Sequence, residues 1–213
     1  MGSAVRDPLL VYRDEFPILE KTSYLVSNSL GPMRRAIPEK MAEYARDWGE
    51  LGVKAWNRGW WELPVSVGDE IAPLINAGSG EVVMMPNVTI AQTAVLSAID
   101  FPRGRDTIVM TELDFPSVRY AYAAMAERLG ARVVVVRSDD GISIDPERLL
   151  AAIDERTRLV AVSHVLFRSA FLMDADAICR RAHEVGALVS LDSFHAVGIV
   201  PVDVKRSKVD FLT

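Results

Sequence analysis

The sequence predicts an α/β fold in which a mostly parallel β-sheet carries helices on both faces. From about residue 65 onward, short apolar runs alternate with segments of helical periodicity, which is the order of elements that builds such a sheet. A chain of 213 residues, 50% of them hydrophobic, buries one substantial core. No repeat, low-complexity tract or long linker divides the chain, so we expect one domain or a large part of one.

Residues 1–60 are predicted to form an N-terminal arm and one helix. Apolar side chains recur at helical spacing from Ile37 to Trp48. Pro38 marks the start of this helix and Gly52 marks its end. The first part of the chain therefore precedes the sheet.

Residues 61–213 contain the alternating strands and helices. The predicted strands are Val82–Met85, Thr107–Thr111, Arg132–Arg137, Leu159–Ser163, Ala187–Leu191 and a last one that begins near Val209. The helices predicted between them are Thr89–Ile99, Ser117–Leu129, Asp145–Ile153 and Asp174–Val185. Asp145 is predicted to cap the third of these helices, with Pro146 at its first position.

Asp192 and His195 form the first candidate site. Ligands of open α/β sheets bind at the carboxyl ends of the strands, and Asp192 directly follows the apolar run Ala187–Leu191. A carboxylate beside apolar residues is either protonated or needs a cationic partner, such as a pyridinium nitrogen. His195 is placed to stack on or hydrogen-bond to the same group. The alternative is that Asp192 only caps the next turn.

Other strand-end loops also offer suitable groups. Asn87-Val88-Thr89 opens a helix, where N–H groups and a hydroxyl suit a phosphate, although Thr89 also fits an ordinary helix cap. Phe115-Pro116-Ser117 places a ring at the sheet edge, which either stacks on a flat cofactor or packs on its own helix. The loop from His164 to Ser169 is rich in hydrogen-bond donors.

Composition argues against several functional classes. The net charge of -5 leaves no basic stripe for nucleic acid, and no apolar run reaches the length of a membrane span. The single cysteine, Cys179, excludes an internal disulfide, and residues 1–10 lack a secretory pattern, so a cytoplasmic protein is expected. Cys179 and His183 share a helix face, but no third ligand stands at metal-binding spacing, so no metal site is predicted.

Several short segments, spread along nearly the whole chain, match the segments of a known family in the same order. They are Asn28-Ser29-Leu30-Gly31, Trp56-Asn57 with Gly59-Trp60, Phe115-Pro116-Ser117, Ser163-His164-Val165 with Phe167-Arg168-Ser169, and Asp192 with His195-Ala196-Val197-Gly198 and Val209-Asp210-Phe211. Together they resemble the kynureninases, which are pyridoxal-phosphate enzymes of the class V aminotransferase superfamily, fold type I. Ordered agreement of this kind is harder to obtain by chance than a single motif.

This resemblance implies a pyridoxal 5'-phosphate cofactor held by an acid, a stacking ring and hydroxyl groups. The implied cofactor-binding residues are Val88, Thr89, Phe115, Pro116, Ser117, Ser169, Asp192 and His195. Asp192 is the implied catalytic acid, and Ser29 and Trp56 are implied to border a small amino-acid substrate. Within the superfamily, cysteine desulfurases carry histidine where this chain has Phe115. Val118 and Ala170 depart from the acid and the glycine that are usual at those positions.

The resemblance also implies a homodimer with the active site at the interface. The clustered tryptophans near Trp56 fit such an interface or, equally, a small satellite core. The Schiff-base lysine of the family is expected beyond Thr213, so the sequence is expected to be truncated before that lysine and before a C-terminal small domain. Lys205 and Lys208 precede the last strand and are not candidates.

The implied activity is hydrolysis of kynurenine or 3-hydroxykynurenine to an anthranilate-type product and alanine, a step of tryptophan catabolism. One alternative is another class V enzyme: an aminotransferase, a cysteine desulfurase or a selenocysteine lyase-like enzyme. The other is a non-catalytic domain that keeps the fold.

Overall fold

The computed structural model describes residues 7–213. The chain forms two compact units, Met1–Leu63 and Pro64–Thr213.

The first unit is helical. Helix α1 spans Ile37–Leu51, as the periodicity predicts, and Gly52 ends it with a φ of 53° that favours glycine. The predicted arm contains two short 3₁₀ helices, and another follows α1; these are Pro8–Glu15, Pro17–Glu20 and Gly52–Arg58. Tyr44 on α1 stacks on Trp60 at 4.5 Å between ring centroids.

The remaining helices and strands alternate along the second unit. They are α2 (Leu63–Ile71), a 3₁₀ helix (Ala72–Ile75), α3 (Val88–Ser97), β1 (Thr107–Thr111), α4 (Pro116–Arg128), β2 (Arg132–Val136), α5 (Pro146–Ala152), β3 (Thr157–Ser163), α6 (Ala175–Glu184), β4 (Leu188–Asp192), α7 (Val204–Ser207) and β5 (Phe211–Leu212). Asp145 and Asp174 cap α5 and α6 with their side chains, and the first of these caps is the one predicted.

The strands form one parallel sheet of five strands in the order β2-β1-β3-β4-β5. The register sets Val109 opposite Val160 and Ser163 opposite Asp192, so the carboxyl ends of β3 and β4 are level. The chain moves outward from β1 to β2 and then returns past β1 to β3. This reversal makes the boundary between β1 and β3 the point where ligands of open α/β sheets bind.

Helices cover both faces of the sheet, which confirms the predicted fold class. Alternate strand residues face opposite sides. On one face, Val109 and Val189 pack with residues of α5 and α6, such as Ile178. On the other face, Ile108 packs with residues of α3 and α4, such as Leu96. Because α4 follows β1 on one face and α6 follows β3 on the other, the loops after these two strands lead to opposite faces of the sheet.

One predicted strand is wrong. Val82–Met85 is not a strand and lies beside α2, where Met84 N donates a hydrogen bond to Pro64 O. Gly68 allows this approach, because a Cβ at that position would lie 2.1 Å from Val82 O. The apolar run resembles a buried strand in the sequence, yet Val83, Met84 and Met85 are exposed in the structure, because apolar character alone does not show whether a segment joins a sheet.

Two short helices, α2 and α7, were not predicted from the sequence, and the last strand begins at Phe211 rather than near Val209. The other boundaries differ from the prediction by one or two residues. Within residues 7–213, no helix has the length and apolar character needed to cross a bilayer.

Candidate functional site

Asp192 ends β4 and is 5% exposed. Its Oδ1 accepts a hydrogen bond from Phe194 N at 3.1 Å. Burial raises the pKa of this carboxyl above its usual range, while the Phe194 N–H and the charge of nearby His195 oppose that shift. Across the described residues, no ion pair includes Asp192. The carboxyl therefore has the environment in which an additional cationic partner is favourable.

Phe115 lies in the loop after β1, at the boundary where β1 and β3 diverge. Its ring meets Phe167 of the β3 loop edge-on at 5.1 Å and lies 6.3 Å from the ring of His195. The structure therefore brings together rings from the loops of β1, β3 and β4. Phe115 is 36% exposed, so a substantial part of it remains available to a flat ligand.

Thr89 and Ser117 approach each other at the first turns of α3 and α4. Their hydroxyl oxygens are 2.8 Å apart. Asn87, and not Thr89, caps α3, because its Oδ1 accepts from Ile90 N at 2.9 Å. The alternative of Thr89 as the helix cap is thus wrong. Two hydroxyls beside two helix N-termini make an arrangement suited to an anion.

Three other predicted cofactor-binding residues lie at the starts of α3 and α4 or in the loop after β3. Val88 is the first residue of α3, is half-buried and packs against the core of its sheet face. Pro116 is the first residue of α4 and leaves no N–H group there without a partner. Ser169 lies in the β3 loop, where its Oγ accepts from Phe171 N at 3.3 Å.

The two departures from the family pattern have structural explanations. Ala170 adopts a left-handed conformation with a φ of 57°, which glycine would adopt more readily, so the loop keeps its shape despite the alanine. Val118 is 3% exposed and belongs to the core between α4 and the sheet. A carboxylate at that position would be buried among apolar groups.

Asp114 is a buried carboxylate that the sequence analysis missed. It is 2% exposed, and its two oxygens accept hydrogen bonds from Thr111 N at 2.6 Å and Ser163 N at 2.7 Å. Burial raises its pKa to about 6, although both N–H groups oppose the shift. The available signal was an acid just after a buried strand, which is the same signal that identified Asp192.

Gln92 is a second residue that the sequence analysis missed. It is hydrogen-bonded to Ser190, two residues before Asp192 in β4. Its Oε1 accepts from the hydroxyls of Tyr122 at 2.6 Å and Ser190 at 3.1 Å, and its Nε2 donates to Thr213 Oγ1 at 2.8 Å. Gln92 and Ser190 are 1% and 0% exposed. A single amide thus connects α3, α4, β4 and the end of the chain. Its only sequence signal was a lone amide within the apolar helix α3.

Cys179 and His183 do not form a metal site in the structure. Cys179 is buried, which raises its pKa to about 12, and His183 Nε2 instead contacts Asp210 Oδ2 at 3.0 Å. Among residues 7–213, no group of three or more His, Cys, Asp or Glu side chains is arranged to hold a metal ion.

The predicted substrate residues lie in the first unit. Ser29 is in an exposed turn, where its N–H donates to Val26 O at 2.9 Å. Trp56 is 41% exposed and contacts the rings of Trp60 and Trp61. The role of these residues toward a substrate stays a prediction.

Comparisons with known proteins identify the family of this chain. A family model described as aminotransferase class-V matches residues 58–213. Kynureninases of Geobacillus thermodenitrificans and Pseudomonas fluorescens are 32% and 33% identical to this chain, over 96% and 97% of it and 50% of each relative. The chain therefore spans about half the length of the curated relatives it matches.

Solved structures show the same fold. The cystine C-S lyase C-DES, in complex with its product cysteine persulfide, matches with a TM-score of 0.82 at 22% identity, over 93% of this chain and 54% of that one. The apo cysteine desulfurase from Thermococcus onnurineus NA1 matches with a TM-score of 0.79 at 22% identity, over 99% of this chain and 53% of that one. Because the family model extends over the whole sheet and all of its strand-end loops, the chain belongs to the class V aminotransferase family.

Proposed function

We propose that this chain forms the cofactor-binding part of a pyridoxal 5'-phosphate-dependent, kynureninase-like hydrolase. The observation that carries the proposal is the buried carboxyl of Asp192, whose raised pKa favours a cationic partner. Phe115 and the Thr89–Ser117 pair also lie beyond the carboxyl ends of the strands. An acid, an aromatic ring and an anion-binding helix pair are the three features that a phosphorylated pyridinium ring needs.

Each group has a distinct task in this proposal. Asp192 accepts a hydrogen bond from the protonated ring nitrogen and keeps the proton there. Phe115 covers one ring face, and His195 supports the ring region from the β4 loop. A pyridinium ring supplies an electron sink when a bond of the substrate breaks, and the protein sets that property through the acid at the ring nitrogen.

The phosphate group is assigned to the first turns of α3 and α4. Thr89 and Ser117 donate their hydroxyl protons to its oxygens, and the free N–H groups of both turns add further donors. Val88 and Pro116 form the apolar part of this cradle. Ser169 of the β3 loop contributes a further hydroxyl contact.

The proposed reaction is cleavage of the bond between the β and γ carbons of kynurenine or 3-hydroxykynurenine, which yields an anthranilate-type product and alanine. The aromatic ring at position 115 supports this choice, since the desulfurases of the superfamily carry histidine there. The kynureninase relatives at 32% and 33% identity also support it. An aryl-ketone substrate requires an aromatic-lined pocket, to which Trp56 and Ser29 are assigned. A homodimer is part of the proposal.

The second candidate is a sulfur-releasing lyase, because the similar solved structures are such enzymes and share the fold. Persulfide chemistry that uses a protein thiol needs a reactive cysteine. Cys179 is 1% exposed within α6, and its pKa of about 12 keeps it protonated. Cys179 is therefore not suited to that role.

Steady-state assays of the complete protein that the gene encodes, called the gene-encoded protein below, test the proposal. The substrates are kynurenine, 3-hydroxykynurenine, cysteine, and an amino acid paired with a 2-oxo acid, each with added pyridoxal phosphate. Release of anthranilate-type product from the first two is the expected result. Turnover restricted to cysteine or to the amino-acid pair would refute the kynureninase reaction and keep the cofactor site. No pyridoxal phosphate binding by the folded protein would refute both.

A further inference from the structure

We propose that Asp114 is a positioning residue that fixes the loops of β1 and β3 relative to each other and thereby sets the place of the Phe115 ring. The proposal rests on the cofactor site proposed above, because Phe115 is its stacking residue. It adds a residue that neither the motifs nor the family segments include.

The geometry places Asp114 between two strands. The pairing of β1 with β3 ends at Val109 and Val160, so the strand ends beyond those residues need another connection. Asp114 supplies it: Oδ2 accepts from Thr111 N at 2.6 Å, and Oδ1 accepts from Ser163 N at 2.7 Å. Short bonds from N–H groups to a carboxylate are among the stronger hydrogen bonds in proteins.

A second contact joins the same two loops. Phe115 directly follows Asp114, and its ring meets Phe167 of the β3 loop at 5.1 Å between centroids. The loop after β1 is therefore attached to the β3 side twice, through the carboxylate and through the ring. Because the two residues are adjacent in the chain, a shift of the Asp114 carboxylate moves the Phe115 backbone and changes the direction of its ring.

The burial of Asp114 argues against an ordinary turn cap. Asp145 also accepts two backbone N–H bonds, from Glu147 and Arg148, and it does so while exposed at the start of α5. Asp114 makes the same number of bonds at 2% exposure, where desolvation of the charge is costly. Burial of this carboxylate therefore costs free energy of desolvation. It occurs where the loops of β1 and β3 lie beside the proposed cofactor site.

Amide hydrogen exchange without added cofactor gives the first test. We compare Asp114→Asn with the matched variant Asp145→Asn, each checked for folding by circular dichroism. The expected result for Asp114→Asn is at least about tenfold faster exchange in both 111–117 and 163–171, a loss of about 1.4 kcal/mol of local protection. For Asp145→Asn the change is confined to α5 and its cap. Unchanged exchange in 163–171 would overturn the proposal. If Asp114→Asn does not fold, Asp114→Ser, which keeps one acceptor oxygen, takes its place.

A double-mutant cycle on pyridoxal phosphate affinity gives the second test. In the gene-encoded protein, Asp114→Asn and Phe115→Leu are each expected to raise the dissociation constant about tenfold. If Asp114 acts through Phe115, the dissociation constant of the double variant is only slightly higher than that of either single variant. A product of the two effects, about a hundredfold, would show that Asp114 acts independently of the ring and would overturn the proposal. Absence of binding by the wild type would refute the proposed function, and the exchange experiment would still decide the role of Asp114.

Discussion

The hydroxyl oxygens of Thr89 and Ser117 lie 2.8 Å apart and connect the first turns of α3 and α4. Neither hydroxyl caps its helix, because Asn87 fills that role for α3 and the cap residue of α4 is Phe115, which makes no side-chain bond. Two helix N-termini of like partial charge therefore lie close together, which is favourable when an anion lies between them. This pair therefore gives the most direct test of the phosphate assignment.

Thr89→Val should weaken binding of pyridoxal phosphate about tenfold or more, because one hydrogen bond to a charged group is lost. Binding of pyridoxal, which has no phosphate, should change little. Spectrophotometric titration of both ligands measures the difference. Equal weakening of the two ligands would contradict the phosphate assignment.

Asp192→Asn should raise the dissociation constant of pyridoxal phosphate about a hundredfold, since removal of one member of a buried charge pair costs about 3 kcal/mol or more. Turnover by the gene-encoded protein should fall with it. The control is Asp210→Asn, a nearby acid whose Oδ2 accepts from Val189 N at 2.8 Å, away from the strand ends. Wild-type affinity in Asp192→Asn would end the assignment.

Gln92→Leu should lower the free energy of unfolding by about 2–3 kcal/mol, because hydroxyls of Tyr122, Ser190 and Thr213 lose their partner in the core. Urea denaturation measures this loss. Adding Tyr122→Phe in the Gln92→Leu background removes one unpaired hydroxyl and should restore part of the stability. A double variant less stable than Gln92→Leu would be inconsistent with the network.

The stability of the protein should carry a pH-dependent contribution from Asp114. Burial raises the pKa of this carboxyl from 3.8 to about 6, so the native state binds the proton more tightly than the unfolded chain does. The contribution is present below about pH 4 and is lost as the pH rises through 6. Relative to Asp114→Asn, the wild type should gain about 2 kcal/mol between pH 6 and pH 4, out of about 3 kcal/mol over the whole titration. Both proteins carry the same other carboxyls, so the contributions of those groups cancel in the difference between the two free energies of unfolding. A difference that does not change with pH would contradict the prediction.

Cys179→Ala should leave turnover of kynurenine intact, because the thiol is 1% exposed, protonated and within α6. A small loss of stability is expected from the smaller side chain in the core. Loss of kynurenine turnover in a variant that remains folded would show that Cys179 contributes to the reaction and would contradict this prediction.

The sequence was sufficient for the strands of the sheet and for the residues at their ends. The apolar runs at β1 and β3 are short and bounded by polar residues, which favours strands over helices. Asp192 and Phe115 directly follow such runs or the turns after them. The run Val82–Met85 has the same character, yet it lies beside α2. Whether an apolar run finds a strand partner is decided by tertiary structure, which a local pattern does not contain.

The sequence was not sufficient for contacts between distant residues. Nothing near Gln92 indicates that its amide reaches Thr213, which is 121 residues away. Likewise, the bond between Asp114 and Ser163 spans 49 residues and depends on the register of two strands. The family segments include residues at the strand ends, such as Asp192 and Phe115, and do not include the buried residues Asp114 and Gln92 that are hydrogen-bonded near them.

The directions of the hydrogen bonds around Gln92 have a consequence for Asp192. Tyr122 and Ser190 each have one hydroxyl proton, and both protons are directed at the same amide oxygen. Burial raises the pKa of Tyr122, so that proton is retained at any physiological pH. Neither hydroxyl therefore has a proton left for Asp192, two residues beyond Ser190. The lone pairs of Asp192 that Phe194 N does not use remain open to a donor at the carboxyl ends of the strands.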